Sequence, residues 1–145
     1  MEAYLIATAC TKFEKKADQT FKSLTEEVYC DLLKSAKVEN GNMIGQAWFG
    51  NCGMGTFGQN NIRGQVCFTP LVQKKLFPER VGIINVEGGC ATGSMAFHGA
   101  WKDVISGTED VSLAIGVEKI YQPNNPEKIQ EIYNGGIDQF DKNEW

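Results

Sequence analysis

The stretch Val81-Gly82-Ile83-Ile84-Asn85-Val86-Glu87-Gly88-Gly89-Cys90-Ala91-Thr92-Gly93-Ser94 decides the fold. Its first six residues form a nearly unbroken apolar run of strand length, and such runs mark strands buried on both faces of a parallel sheet. A matching run, Val111-Ser112-Leu113-Ala114-Ile115-Gly116-Val117, follows downstream. Between them Ala96, Phe97, Ala100, Trp101, Val104 and Ile105 recur at three- and four-residue intervals, and Gly107 supplies a helix stop. Strand, helix and strand at this spacing make a βαβ unit. The expected class is therefore α/β, with a mainly parallel sheet and helices on both faces.

Upstream, Tyr4 to Ala9 is short, apolar and β-compatible, which predicts a first strand. Phe21, Leu24, Val28 and Leu32 recur at near-helical spacing, and Ser23-Leu24-Thr25-Glu26 fits a capping box, so a helix is expected over about 23–35. Asn40-Gly41-Asn42 reads as a turn before a second strand over Met43 to Phe49. Gly50 to Gly58 carries too many glycines for a regular element. Pro70 to Phe77 has Leu71, Val72, Leu76 and Phe77 on one helical face and is closed by Pro78. After Lys119 the pattern breaks at Gln122-Pro123-Asn124-Asn125-Pro126, and Ile129, Ile132 and Tyr133 then return to helical spacing. The predicted organisation is one domain over 1–118 and the start of a loop or cap region over 119–145. The absence of a closing element at Trp145 suggests that further protein completes the fold.

The chain has 145 residues, 42% hydrophobic and 22% charged, enough apolar material for one core. Fourteen basic residues against eighteen acidic give a formal charge of -4 without a basic run, which speaks against nucleic acid as a partner. The N-terminus lacks the pattern of a secretory signal, and no stretch is long enough to span a bilayer. Five scattered cysteines without a C-x-x-C pair fit neither a disulfide framework nor a zinc site, so a reducing cytoplasm is the expected location.

Cys90 is the residue with the clearest chemistry. It directly follows a strand and opens a helix, where backbone N–H groups and the helix dipole stabilise a thiolate and can also hold an oxyanion. On position alone, an inert packed thiol is an equally good reading. The remaining cysteines read as structural, with Cys52 the least settled because its glycine neighbours could expose it. A nucleophile needs a base, yet the single histidine, His98, lies eight residues along the same helix, roughly 12 Å of rise away. Either Cys90 is inert or its base lies outside these residues.

Gly53-Met54-Gly55-Thr56-Phe57-Gly58 matches G-x-G-x-x-G, but no helix clearly opens at its last glycine, so a glycine loop serving a site or interface is the better reading than a dinucleotide cradle. Glu87 and Glu118 sit at strand carboxyl ends, where α/β proteins place binding groups. A solvated strand end or, for Glu118, a buried hydrogen-bonded anchor is the plainer reading, and for both residues it leads. Trp48, Phe49, Phe97 and Trp101 match the core pattern.

Three segments together resemble the thiolase family, especially its sterol-carrier-type and archaeal-like branch. Cys90-Ala91-Thr92-Gly93-Ser94 is similar to the nucleophile signature Cys-[Ser/Ala]-[Ser/Thr]-Gly-Ser. Gly58 to Gln65 looks like the loop and helix start near the thiolase dimer interface, and Ala114 to Glu118 resembles the strand ending Gly-Val-Glu. The likeness covers Tyr4 to about Tyr121.

The resemblance implies an αβαβα fold of two similar halves, of which this chain would carry the first. It also implies a homodimer or larger oligomer, and acyl transfer from a β-ketoacyl-CoA to coenzyme A through a Cys90 thioester. Cys90 would be catalytic, with Gly89, Gly93 and Ser94 binding substrate; coenzyme A thioester is a substrate, and no metal or redox cofactor is implied. The second half, with its Gly-His-Pro histidine and Cys-x-Gly-Gly cysteine, is not in this chain, which accords with the missing base. Glu87-Gly88-Gly89 departs from the family's usual approach to the cysteine. Some members of the branch work with a small zinc-containing OB-fold subunit. The competing readings are a ketoacyl or hydroxymethylglutaryl-CoA synthase of the same superfamily, and a noncatalytic acyl-CoA-binding or scaffold subunit. A thiol redox protein has little support without a C-x-x-C pair.

Overall fold

The computed structural model describes residues 2–141. Its elements are α1 (Phe21–Ala36), β1 (Gln46–Gly50), α2 (Arg63–Gln73), β2 (Gly82–Val86), α3 (Thr92–Ile105), β3 (Ser112–Gly116) and α4 (Glu127–Asn134), with 3-10 turns at Gly53–Phe57 and Gly89–Ala91. The three strands form a parallel sheet in the order β2-β1-β3, with Phe49 in register with Asn85 and Ile115. The α/β expectation is met.

Alternation along β1 separates the two faces. Ala47 and Phe49 are fully buried on the face covered by α2, and α1 packs on α2. An aromatic cluster fills that side: Phe68 lies 4.5 Å from Phe77, 5.8 Å from Tyr29 and 6.2 Å from Phe49, all edge-to-face. Each such ring, fully buried, contributes roughly 1.5–3 kcal/mol. The ion pairs, such as Lys34–Asp31 on the surface of α1, contribute about 0–1 kcal/mol each, so the aromatic core holds this face together. On the other face Trp48 meets α3, where its indole Nε1 donates to Asp103 Oδ2 (2.6 Å) and Ser112 Oγ donates to the same oxygen (2.7 Å).

Several local expectations are corrected. Tyr4 to Ala9 is not a strand: the segment is irregular, and Tyr4, Leu5 and Ile6 are exposed. A groove of about 790 Å³ lies between it and β3, and β propensity without a backbone to pair with does not make a strand. The helix-opening box is Thr20 with Ser23, not Ser23 with Glu26. Thr20 Oγ1 accepts from Ser23 N (3.1 Å), Ser23 Oγ accepts from Thr20 N (2.8 Å), and the earlier start packs Phe21 against Phe57 at 5.6 Å.

The second helix begins at Arg63 and contains Pro70 in its interior, because its free N-terminal N–H at Gly64 is satisfied by the Asn85 side chain (2.6 Å), a cap from another element. Gly53 to Phe57 is ordered into a 3-10 turn, so the glycine segment is not irregular throughout. β2 is not buried on both faces. It is an edge strand, with Ile84 exposed. Phe97 and Trp101 are likewise not core residues, being 55% and 43% exposed on α3. Ile129 and Ile132 do lie on a helix, α4, as their spacing predicts. Of the predicted tail region 119–145, residues 142–145 lie outside the described residues.

Candidate active site

Because all three strands run parallel, their carboxyl ends share one edge of the sheet, the edge where open α/β sheets bind ligands. The loops leaving that edge carry Asn51 and Cys52 after β1, Cys90 after β2, and Glu118 after β3. Asn51, only 1% exposed, laces them together. Its backbone N donates to Val86 O (3.3 Å), its Nδ2 to Val117 O (2.6 Å), and its Oδ1 accepts from Met54 N (2.9 Å). Arg63 at the start of α2 donates to Asn51 O.

Cys90 is exposed in the Gly89–Ala91 turn, directly before α3. Gly89 has φ 57, in the left-handed region that glycine adopts without strain, and this residue sets the entry of the turn. Glu87 Oε1 accepts from Gly89 N (2.7 Å), and Ala91 N donates to Gly88 O (3.1 Å). Thr92, buried at the first position of α3, fixes the turn from beneath: its hydroxyl accepts from Gly88 N (2.9 Å) and donates to Gly89 O (2.8 Å). Gly93 faces open space, with nothing within 4 Å of where a Cβ would stand, and Ser94 is exposed beside it. The four residues singled out from the sequence, Cys90, Gly89, Gly93 and Ser94, thus occupy one exposed turn and helix start.

His98 is not brought to Cys90. It lies two turns along α3, exposed, with its ring stacked on Trp101 at 5.4 Å and 20°. The glycine motif at 53–58 forms no phosphate cradle. The N–H groups of Cys52 and Gly53 are taken by the Glu118 carboxylate, at 3.1 Å for Gly53, and no α-helix opens until Arg63. Glu118 is therefore a hydrogen-bonded anchor. Although the residue as a whole is exposed, its carboxylate is tucked against this backbone; burial pushes its pKa up, against the pull of the two N–H donors and of Arg63.

Sequence reading missed Cys52 and Thr92 as members of the site. Cys52 Sγ lies 3.2 Å from Gly89 O, to which it donates, and 3.0 Å from Thr92 Oγ1. Burial raises its thiol pKa, Thr92 opposes this, and Glu118 and Glu87 add to it. No sequence signal pairs residues this far apart; only the sheet order brings them together.

No group of three or more histidine, cysteine, aspartate or glutamate side chains able to hold a metal occurs among the described residues. Nor is any described helix long and apolar enough to cross a membrane.

Comparison with known proteins agrees with this geometry. Residues 3–139 match the family described as thiolase, N-terminal domain. Over 117 residues the chain is 32% identical to benzoylsuccinyl-CoA thiolase subunit BbsB of Thauera aromatica, covering 81% of this chain and 28% of that protein. It is also 32% identical over 117 residues to acetyl-CoA acetyltransferase of Methanocaldococcus jannaschii, covering 80% of this chain and 28% of that protein. The matched part thus spans under a third of the length of these relatives. The match over nearly the whole chain, on a parallel α/β sheet, places this protein in the thiolase family, as a representative of its N-terminal portion.

Proposed function

We propose that the protein is a thiolase-type acyltransferase, moving an acyl group between a β-ketoacyl-CoA and coenzyme A through a thioester on Cys90, and that a second half of the fold supplies its base. The observation that carries this reading is the exposed Cys90 on a glycine-built turn, at the sheet edge where three parallel strand ends converge and at the mouth of α3. The Cys90 thiolate attacks the keto carbonyl, the tetrahedral oxyanion forms beside the backbone N–H of Cys90, and carbon–carbon cleavage leaves the acyl group on Sγ and expels the enolate of the shortened acyl-CoA, which takes a proton from an acid of the second half. Coenzyme A thiolate then attacks that thioester, and Cys90 departs as the thiolate. Gly89, Gly93 and Ser94 line the approach, the open space at Gly93 leaving room for the thioester. Coenzyme A thioester serves as substrate, without metal or redox cofactor.

The placement of His98 supports a base contributed from outside the chain, since the imidazole is committed to Trp101 two turns away. The unpaired outer edge of β2 supports a homodimer or larger oligomer. The tail after Lys119 fits the start of a region that covers acyl-CoA, with 1–118 as the domain proper. Some members of the branch that this chain resembles work with a small zinc-containing OB-fold subunit, which makes such a subunit a candidate partner, and five free thiols suit a cytoplasmic location. The names of the two relatives agree on acyl-CoA chemistry and differ in the acyl group, so a panel of β-ketoacyl-CoA substrates is the right probe.

The test is coenzyme A-dependent cleavage of that panel by the protein purified with whatever copurifies. Cys90→Ala is expected to abolish turnover while leaving the complex intact. Full turnover in the Cys90→Ala complex would replace this reading with that of a noncatalytic scaffold subunit.

A further inference from the structure

Cys52 brings a second thiol to the turn that carries Cys90. Of the other four cysteines, it is the one whose sulfur contacts that turn among the described residues: Cys67 is fully buried on α2, Cys30 sits on α1, and Cys10 lies in the N-terminal segment. Its Sγ is 3.2 Å from the Gly89 carbonyl oxygen, and that carbonyl belongs to the peptide whose nitrogen is that of Cys90. Across one planar trans peptide, the Cys52 sulfur therefore lies no more than about 6 Å from the Cys90 Cα. The Cys52 Cα stands at most about 3 Å beyond its sulfur, so the two Cα atoms lie within about 9 Å; a disulfide needs about 4.4–6.8 Å, so bridging them requires the turn to move by up to a few Å while the sheet stays in place. Gly88 and Gly89 before Cys90, Gly93 after it and Gly53 after Cys52 give the backbone room for that movement once the two Thr92 hydroxyl bonds to the turn are released.

We propose that Cys52 is a resolving thiol for Cys90, and that on exposure to a peroxide the two form a reversible disulfide that caps the nucleophile. The exposed Cys90 thiolate attacks the hydroxyl oxygen of the peroxide and the O–O bond breaks; that oxygen stays on sulfur as the sulfenic acid, and the other leaves, taking a proton from solvent, as water or an alcohol. The Cys52 sulfur then attacks the sulfenic sulfur; the S–O bond breaks, water leaves, and the S–S bond forms. Two thiols lose two electrons, and one peroxide gains them. Cys52 is only partly exposed whereas Cys90 is exposed, so the peroxide meets Cys90 first. Without a resolving partner a sulfenic acid proceeds to irreversible acids, which would destroy the site; with one, a thiol reductant restores it. Disulfide formation needs only the two sulfurs and an oxidant, so it is independent of whether Cys90 carries acyl groups.

Each of the five cysteines falls on a different tryptic peptide, which makes the pairing directly readable. The 145-residue chain is treated with hydrogen peroxide, remaining thiols are blocked with iodoacetamide, and the unreduced digest is analysed by mass spectrometry. The expected product joins peptide 38–63 to peptide 81–102, lighter by two hydrogens than their sum and lost on adding dithiothreitol. In Cys52→Ser the same treatment is expected to drive Cys90 to the sulfinic acid. Cys90 oxidised to acids in the wild-type chain with Cys52 still alkylated, or Cys90 joined instead to Cys10 or Cys30, would overturn the assignment.

Discussion

Thr92 does more for the candidate site than its place in the nucleophile signature suggests. One buried hydroxyl accepts from Gly88 N–H and donates to Gly89 O, so it ties down both residues that lead into Cys90. Thr92→Val keeps the shape and removes both bonds, leaving polar backbone groups unmatched, and is expected to destabilise the protein by about 1–3 kcal/mol in urea unfolding. It should also slow alkylation of Cys90, while Thr92→Ser restores both properties; a valine variant as stable and as reactive as wild type would show that the hydroxyl is idle.

At Glu118 burial outweighs two N–H donors and Arg63, so the folded pKa lies above the reference 4.5. The sign follows from linkage: a raised folded pKa means that the native state holds the proton more tightly, so the contribution is full below about 4.5 and is lost as pH rises through the folded value. Thermal unfolding of wild type and Glu118→Gln between acid and neutral pH should show wild type losing ground to the variant as pH rises. The opposite slope would mean that the N–H donors win.

Cys90 was legible from the sequence because its setting is local: a strand, two glycines and a helix start adjacent in the chain. The partners of Cys52 and Glu118 were not, since those contacts cross 37 and 66 residues, although the anchor reading of Glu118 itself was open from the sequence.

At the scale of elements, α3 is the piece that both holds and aims the site. It packs on β1 and β3, and its closest approach is at Gly99, where a Cβ would stand 2.4 Å from the Trp48 ring. Gly99→Ala forces that indole to move and disturbs its bond to Asp103, with an expected loss of about 1–3 kcal/mol measured by denaturant unfolding. An unchanged midpoint would show that Trp48 can shift freely. α3, β2 and β3 could be read from apolar runs and 3.6-residue spacing because those patterns lie within one short stretch of chain and record which face of an element is apolar. The start of α2 could not, because its free Gly64 N–H is capped by Asn85 of another strand, and local reading placed the helix start at Pro70 instead. The N-terminal strand failed for the converse reason: Tyr4 to Ala9 has the composition of a strand without a partner beside it, and its side chains stay exposed.

For the whole molecule, the exposed apolar surfaces and the chemistry lead to the same reading. β2 leaves an edge unpaired, Phe97 and Trp101 show an apolar face on α3, and a groove of about 790 Å³ separates β3 from the N-terminal segment. Sequence patterning assigned those aromatics to a core because it records that a face is apolar, not which surface covers it. The proposed second half and the proposed second copy would both find unpartnered surface here, and Cys90, the proposed nucleophile, is the part of that machinery carried by the described residues. The most direct test is to incubate the protein, alone and with copurifying partners, with acetoacetyl-CoA and to locate acyl mass on its tryptic peptides. The account predicts an acetyl group on peptide 81–102, absent in Cys90→Ser, and stronger with partners present than without. No adduct on that peptide under either condition, or an adduct that persists in Cys90→Ser, would contradict it.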